Sequence, residues 1–439
     1  MQGVAPEYRQ LWNAIENGII STFQGELRAL GDVNRPMNSG LEWTPLCLAA
    51  YYGRNEMVSL LLNQYQAEVD KRLSMGATAL FVACEHGKED IVKLLLKAGA
   101  DPDAACHTSG TTPLIKACEG NHARIVEIML DGGASRNLAQ ADGSAPLFMA
   151  AQKGNAAVCR LLVARGADPD QAKLDSATPL IVAAELGNAA VVRFLVAEAG
   201  AKTANTPMYN GVTPLYKACE HGHFEIVKIL VEQGGVDPDL PKNDGVSPLF
   251  TACQMGHLDI IRYLAEECGA DVNKAKNDGV TPVYMAAEYR NVAIVEYLVA
   301  KDADLTKRSV NGLTALHAAC IQHVPETVEV LLQAGADLEA RDNGGFTPLC
   351  NACEWGRARI AALLLGFGAD ARAAGWNGNT GLHLAAWKGH IEIVQQFLGA
   401  DADQYGTVSL ASQKNHYGYT PLHLAALQGA HPAVRALLL

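Results

Sequence analysis

The chain of 439 residues carries 47 acidic and 35 basic side chains, and its net charge of −12 argues against nucleic acid as a partner, because phosphate backbones attract basic surfaces. No signal-peptide pattern occurs in "MQGVAPEYRQ", and no apolar run approaches the ~18 residues that suggest a membrane span. The length would ordinarily indicate about three domains, an estimate that fails for a chain built from repeats.

The first predicted elements lie in residues 11–34, which read "LWNAIENGIISTFQGELRALGDVN". A more regular unit begins at residue 44 and continues along the chain. We interpret the first stretch as a divergent copy of that unit, and we expect residues 1–43 to form an N-terminal capping repeat.

The regular unit is marked by Thr-Pro-Leu or a close variant. Successive markers are 33–35 residues apart, except for the last pair, which is 40 residues apart. This spacing is typical of a repeat protein, in which each copy is one small structural unit. The markers begin at residues 44, 78, 112, 145, 178, 213, 247, 281, 314, 347, 380 and 420.

Residues 213–239, "TPLYKACEHGHFEIVKILVEQGGVDPD", show the pattern inside one unit. Thr213 is a predicted helix N-cap, and Pro214 takes the first helical position, where a missing N–H costs nothing. This short helix ends at Gly222, and a second amphipathic helix ends at Gly234. An extended finger with an Asp-Gly turn follows. Neither helix is long enough to be stable alone, so stacking must stabilise both.

The pattern resembles the ankyrin repeat, most closely in "TPLHLAALQG" at 420–429 and "TGLHLAAWKG" at 380–389. The resemblance covers residues 44–439 and implies an all-α fold, an α-solenoid with a helix–turn–helix and a β-hairpin-like finger in each repeat. We expect twelve repeats in one continuous solenoid. The last copy ends in the apolar "VRALLL", so we expect it to be truncated or to lack a polar cap.

The stretch "ACEHGH" brings together Cys219, Glu220, His221 and His223, residue types that bind zinc or build nucleophilic sites. Related stretches such as "ACEHGK" and "ACQMGH" recur in other repeats, which indicates a structural feature first. On a helix Cys219 would point into the stack, with Glu220 and His221 on the opposite side. We therefore predict no metal site at this stretch.

The pair "CNAC", residues 350–353, lacks the preceding strand of a thioredoxin-like redox site, and we interpret it as part of the core. No phosphate-binding loop, zinc-protease or serine-hydrolase pattern occurs. The sequence predicts no catalytic residue, no metal and no cofactor, and hence no enzyme. The alternatives are a catalytic domain beyond residue 439 and a purely structural spacer.

Six of the eleven cysteines follow an alanine at one position of the repeat. Equivalent positions in stacked helices are about 8–10 Å apart. A disulfide needs Cα atoms within about 7 Å, so we expect buried thiols. They indicate a reducing, intracellular compartment, namely the cytoplasm, with the nucleus also open. The six are Cys84, Cys118, Cys219, Cys253, Cys320 and Cys353.

In ankyrin-repeat proteins the two residues after each "AA" or "AC" line, with the finger tips, the concave face that meets the partner. Glutamate holds the first position in six of the twelve repeats here, interleaved with aromatic residues and methionine. We predict that this face binds a basic, extended segment through carboxylate pairing and cation–π contacts. The predicted partner-binding residues are Tyr51, Tyr52, Glu85, His86, Glu119, Glu185, Glu220, His221, Met255, Glu288, Tyr289, Glu354, Trp355 and Trp387.

Other interpretations of this face remain open. Glutamate is also a good solvated helix former, and Lys116 and Lys217 are placed to neutralise Glu119 and Glu220 three residues later. Basic finger residues would suit a partner of mixed charge. These are Lys242, Lys274, Lys276, Lys307 and Arg308.

Departures from the pattern carry further predictions. Arg290 and His323 replace the helix-ending glycine, and we expect a shifted turn there, with Pro325 starting the next helix early. The 40-residue interval lengthens one finger, residues 404–418. Aromatic residues that replace the marker histidine are expected to pack between repeats. They are Phe81, Phe148, Tyr216, Phe250 and Tyr284.

These observations predict a scaffold or adaptor without chemistry of its own. It would act as a monomer and bind a protein or peptide partner, without nucleic acid and without membrane insertion.

Overall fold

The computed structural model describes residues 4–400 and 410–438. The chain forms two compact units, Met1–Val236 and Asp237–Leu439, which we call unit 1 and unit 2. The described residues hold helices joined by turns, as the all-α repeat pattern predicts.

Unit 1 is a stack of helix pairs in two layers. From α1 onward, each odd-numbered helix packs on the next odd-numbered one, and from α4 onward each even-numbered helix packs on the next even-numbered one. We call the odd-numbered helices first helices and the even-numbered ones second helices. They are α1 (Arg9–Asn17), α2 (Ile20–Leu30), α3 (Pro45–Tyr52), α4 (Asn55–Asn63), α5 (Ala79–Glu85), α6 (Glu89–Lys97), α7 (Pro113–Glu119), α8 (Ala123–Asp131), α9 (Pro146–Gln152), α10 (Ala156–Ala164), α11 (Pro179–Glu185), α12 (Ala189–Ala197), α13 (Pro214–Glu220) and α14 (Phe224–Gly234).

Unit 2 repeats the arrangement with twelve further helices in its described residues. First helices from α15 to α25 pack each on the next, as do second helices from α18 to α26. The helices are α15 (Pro248–Met255), α16 (Leu258–Glu266), α17 (Pro282–Glu288), α18 (Val292–Ala300), α19 (Ala315–Gln322), α20 (Pro325–Gln333), α21 (Pro348–Glu354), α22 (Ala358–Gly366), α23 (Gly381–Lys388), α24 (Ile391–Ala400), α25 (Pro421–Gln428) and α26 (His431–Leu438).

The predicted helix signals operate as expected in the repeat that begins at Thr213. The Thr213 hydroxyl accepts a hydrogen bond from the Tyr216 backbone N–H at 3.1 Å, and Pro214 is the first residue of α13. Gly222 has φ 73°, the left-handed conformation that separates the two helices. The first-helix side chains Leu215 and Cys219 are buried. Local signals therefore position the exposed end of each first helix.

The predicted β-hairpin form of the fingers is not confirmed. Within the described residues the fingers are tight turns, and the only bridges are the isolated pairs Val4–Asn38 and Ala374–Thr380. In the finger of residues 242–246, the Gly245 N–H donates to the Lys242 carbonyl at 2.9 Å. The Asn277 N–H then donates to the Asp244 carbonyl at 2.9 Å, which joins this finger to the next. Such short turns bond across repeats instead of forming a ladder of their own.

The shifted turn predicted at Arg290 and His323 is wrong. These residues have φ of 65° and 66°, so they adopt the left-handed conformation that glycine has in neighbouring repeats. In each of these two repeats the second helix begins two residues after the left-handed residue, just as α16 begins two residues after Gly256. The helix at Pro325 is therefore not early. The sequence also missed a third such residue, Asn121, with φ 56°. The packed neighbours on both sides impose the turn in spite of its backbone cost.

The aromatic residues that replace the marker histidine are all buried, which packing between repeats requires. In other repeats the histidine itself is present. His317 Nδ1 accepts from the Thr314 N–H at 3.2 Å, and its Nε2 contacts the Phe346 carbonyl, in the finger that leads to the next repeat, at 3.3 Å. The histidine thus links its first helix to the finger that leads to the next repeat.

Part of the long finger, residues 404–409, lies outside the described residues. In the remainder Leu410 is buried, and the Asn415 side chain donates to the Asn379 side chain at 2.8 Å. No helix in residues 4–400 and 410–438 combines the length and the apolar character that crossing a bilayer requires.

Candidate functional site

The predicted partner-binding residues lie at the C-terminal ends of the first helices. Because first helices pack side by side within a unit, these ends form one row of side chains in each unit. The unit 1 row is Tyr51, Tyr52, Glu85, His86, Glu119, Glu185, Glu220 and His221. The unit 2 row is Met255, Glu288, Tyr289, Glu354, Trp355 and Trp387.

The carboxylates of the unit 1 row are bridged by lysines. Lys116 Nζ lies 3.3 Å from Glu85 and 3.0 Å from Glu119. Burial alone would lower the pKa of Lys116, but the bonds to Glu119 and Glu85 outweigh it and raise the pKa above its ordinary value. The ammonium therefore stays charged and holds two carboxylates, which leaves this triad with one net negative charge.

A second triad repeats the arrangement further along unit 1. Lys217 Nζ lies 2.9 Å from Glu185 and 2.8 Å from Glu220. His221 Nε2 is 3.8 Å from Glu185 and 3.7 Å from Glu220. The pairs of Lys116 with Glu119 and of Lys217 with Glu220 were foreseen from the sequence. The pairs with Glu85 and Glu185 were missed, because those residues belong to the preceding repeat.

The unit 2 row is dominated by large exposed side chains. The exposed fractions are 45% for Met255, 50% for Tyr289, 54% for Trp355 and 43% for Trp387. Gln254 Nε2 donates to the Tyr289 hydroxyl at 3.0 Å, which joins two successive repeats of the row. Glu288 has no ion pair among the described residues, in contrast to the triads of unit 1. This row offers apolar contact area with an unpaired carboxylate beside it.

An aromatic cluster forms the start of the unit 1 row. The ring centroids of Trp43 and Tyr51 are 5.5 Å apart at 73°. Tyr51 meets Tyr52 at 5.0 Å and 89°, and it meets His86 at 4.6 Å and 77°. The sequence missed Trp43 because it precedes the N-cap residue and stands outside the two row positions. Rings set edge to face are a favourable arrangement and build a rigid surface.

Six successive matches to a family model described as ankyrin repeats in three copies cover the chain. They span residues 11–106, 102–173, 165–242, 234–309, 301–374 and 364–439. The chain belongs to the ankyrin-repeat family. Ankyrin repeats are generally protein–protein interaction modules, and the proteins that contain them are typically binding scaffolds. A search of curated proteins finds no match to the chain.

In this ankyrin-repeat protein the "ACEHGH" residues serve separate structural roles. Cys219 is fully buried, while Glu220 is held by Lys217 at 2.8 Å. His223 Nε2 contacts the Glu185 backbone carbonyl of the preceding repeat at 3.0 Å. The described residues contain no group of three or more histidine, cysteine, aspartate and glutamate side chains arranged to hold a metal ion.

The contact made by His223 recurs in other ankyrin repeats of the chain. His122 Nε2 lies 3.4 Å from the Glu85 carbonyl, and His390 Nε2 lies 3.1 Å from the Glu354 carbonyl. A polar side chain after the inter-helix turn thus binds the end of the preceding first helix. It holds the exposed row residues of adjacent repeats in register.

The "CNAC" pair lies within the core. Burial raises the pKa of Cys350 and Cys353, so both side chains are thiols at neutral pH. Cys350 Sγ donates to the Ala373 carbonyl at 3.6 Å. Burial also raises the pKa of Cys84, Cys118 and Cys320 in the equivalent positions. A protonated, buried thiol is a poor nucleophile, which supports the structural interpretation of these cysteines.

Proposed function

We propose that this ankyrin-repeat protein is a scaffold or adaptor that binds a protein or peptide partner along its two rows. The observation that carries the proposal is the unit 2 row, where Met255, Tyr289 and Trp355 hold one equivalent position in three repeats and all stand exposed. Large exposed apolar and aromatic side chains in series are typical of binding surfaces. The aromatic side chains of Tyr289 and Trp355 give much contact area at low entropic cost, because each has few rotatable bonds.

Charge supports a partner with basic segments. Each lysine-centred triad of unit 1 keeps one net negative charge, and Glu288 of unit 2 is unpaired among the described residues. Most of the basic finger side chains already have partners within the protein. Lys276 lies 2.9 Å from Asp278, and Lys274 donates to a backbone carbonyl at 2.6 Å. These pairings favour a basic partner over one of mixed charge.

The proposal extends to the compartment and the assembly state. Eleven cysteines, most of them buried in packed positions as thiols, suit a reducing intracellular environment such as the cytoplasm. We propose that the protein acts there as a monomer, because its rows then stay available to a partner.

The test is affinity capture with a matched control variant. Tyr289→Ser with Trp355→Ser removes two row side chains from unit 2. Phe367→Ser removes a side chain of similar exposure, 46%, from the end of α22 in the same unit. Partners captured from lysate by the wild type should be lost with the row variant and kept with the control. Equal capture by all three folded proteins would overturn the proposal.

A further inference from the structure

A recess of about 180 Å³ opens on unit 1 between two successive fingers and the first helices α3 and α5. Leu41 and Met75 of the fingers stand 44% and 53% exposed at its edge. Trp43, Tyr51 and His86 contribute rings, and Glu85 contributes a carboxylate. The recess therefore combines apolar walls, aromatic faces and one acidic group within the volume of a single long side chain.

Three of the aromatic rings that line the recess pack edge to face. Trp43 and His86 each stand nearly perpendicular to Tyr51, at 73° and 77°. All three residues line the recess, and the face of an aromatic ring carries the negative part of its quadrupole. A cation within about 6 Å of such a face is attracted to it.

The charges at the recess also favour a cation. The Glu85 side chain is 40% exposed and is shared with Lys116, whose second partner is Glu119. Burial lowers the pKa of His86 below its ordinary value, so the ring is neutral at neutral pH and does not oppose a positive charge.

A second recess on unit 1 provides a contrast. It measures about 320 Å³ and is lined by residues that include Lys173, Lys217, Asp175 and Glu185. Both lysines already pair with those carboxylates or their neighbours. A cationic side chain would meet two ammonium groups in the lining there. The first recess has one ammonium beside its lining, that of Lys116, which is held 3.3 Å from Glu85 and 5.9 Å from the centre of the Phe81 ring. The first recess is therefore the better site for a cationic side chain.

We propose that the first recess holds one arginine or lysine side chain of a partner peptide, with its aliphatic stem on Leu41 and Met75 and its charged head against the rings of Trp43 and Tyr51 and beside the Glu85 carboxylate. Long basic side chains commonly pack their stems on apolar surface in this way. The inference rests on the proposed function and assigns a specific residue type to one position of the partner.

The experiment uses full-length protein labelled with 5-fluorotryptophan, whose five tryptophans give separate ¹⁹F signals. The probes are Nα-acetyl-arginine amide, Nα-acetyl-lysine amide and the uncharged Nα-acetyl-norleucine amide. The Trp43 signal, assigned with Trp43→Phe, should shift saturably with the two cationic probes. Glu85→Gln leaves Lys116 paired with Glu119 and should weaken the binding of both cationic probes about three- to tenfold. Trp355→Phe in unit 2 should change nothing.

Two outcomes would overturn the inference. One is that neither cationic probe shifts the Trp43 signal saturably, although the labelled protein unfolds at the same temperature as the unlabelled wild type and is therefore folded. The other is an equal shift with the norleucine probe, which would make the recess an apolar site without charge selectivity. Neither outcome bears on capture by the unit 2 row, so failure here is distinguishable from failure of the proposed function.

Discussion

At the scale of single residues, the buried histidines show how a side chain can connect repeats and make stability depend on pH. His383 Nδ1 accepts from the Thr380 N–H at 3.3 Å, and its Nε2 lies 3.1 Å from the Tyr419 carbonyl, in the finger that leads to the next repeat. Burial lowers the pKa of His317 and His383 below 6.5. Protonation at Nδ1 would remove the acceptor and place a charge in the core.

We therefore predict that unit 2 loses stability as the pH falls below 6.5. The folded histidines bind protons less readily than the unfolded ones, so their contribution is present above 6.5 and is lost on acidification. The loss should be about 1.4 kcal/mol for each pH unit in which only the unfolded form of one histidine is protonated. Urea unfolding of the wild type between pH 7.5 and 5 measures it.

The chain supplies its own control for this prediction. Phe81, Phe148 and Phe250 fill the same position in other repeats and do not titrate. The variant His317→Phe with His383→Phe should show a smaller decline of stability between pH 7.5 and 5. An identical decline in the variant and the wild type would show that other groups cause the pH dependence.

Residue pairs also show what a sequence can and cannot predict. The contact of Lys217 with Glu220 follows from helical spacing alone, and it was predicted. The contact of Lys217 with Glu185 depends on how adjacent first helices stack, and no pattern within one helix reveals it. Trp43 was missed for a related reason, since its role depends on the finger that brings it beside Tyr51.

At the scale of the element, the inter-helix turn was predicted correctly where glycine marks it and wrongly where it does not. Arg290 replaces glycine and keeps φ at 65°. Its successor Asn291 donates to the Cys253 carbonyl of the preceding repeat at 3.4 Å, which ties the turn to its neighbour. Tertiary contacts thus override a local preference that the sequence makes plain. The hairpin form predicted for the fingers is not confirmed, because an Asp-Gly turn favours a hairpin only where strands flank it.

The left-handed turn leads to a prediction for Arg290→Gly. The substitution removes a side chain that costs about 1–2 kcal/mol in this conformation, while glycine adds roughly 0.5–1 kcal/mol of backbone entropy to the cost of folding. We expect a net gain in the free energy of unfolding of about 0.5–1 kcal/mol, measured by urea unfolding.

The matched control is Gly256→Ala at the equivalent position of the preceding repeat. Gly256 has φ 88°, and an added Cβ would come no closer than 3.6 Å to Asn291, so the effect is one of backbone strain. This variant should be destabilised. A loss of stability in Arg290→Gly would mean that the arginine side chain contributes a stabilising contact.

At the scale of the whole molecule, each unit is stabilised by contacts between neighbouring repeats, as expected of a repeat protein. The period, the helix pairs and the buried cysteines could all be predicted, because the sequence pattern that encodes them recurs from repeat to repeat. For the rows of exposed side chains, the sequence predicted where they lie but not which contacts they make with one another. The chemistry of the rows differs between units, with an aromatic cluster and two lysine-bridged pairs of carboxylates in unit 1 and a series of large exposed side chains in unit 2. The net charge of −12 adds a general preference for basic partners.

The central claim is that the partner lies along the rows, and site-specific photocrosslinking tests it most directly. A benzoylphenylalanine residue would replace Trp355 of the unit 2 row or, as control, Phe367 at the end of α22. We predict that position 355 crosslinks to a small set of proteins that carry basic segments. None of these proteins should crosslink to position 367. Equal crosslinking at both positions, or crosslinks at 367 alone, would contradict the claim.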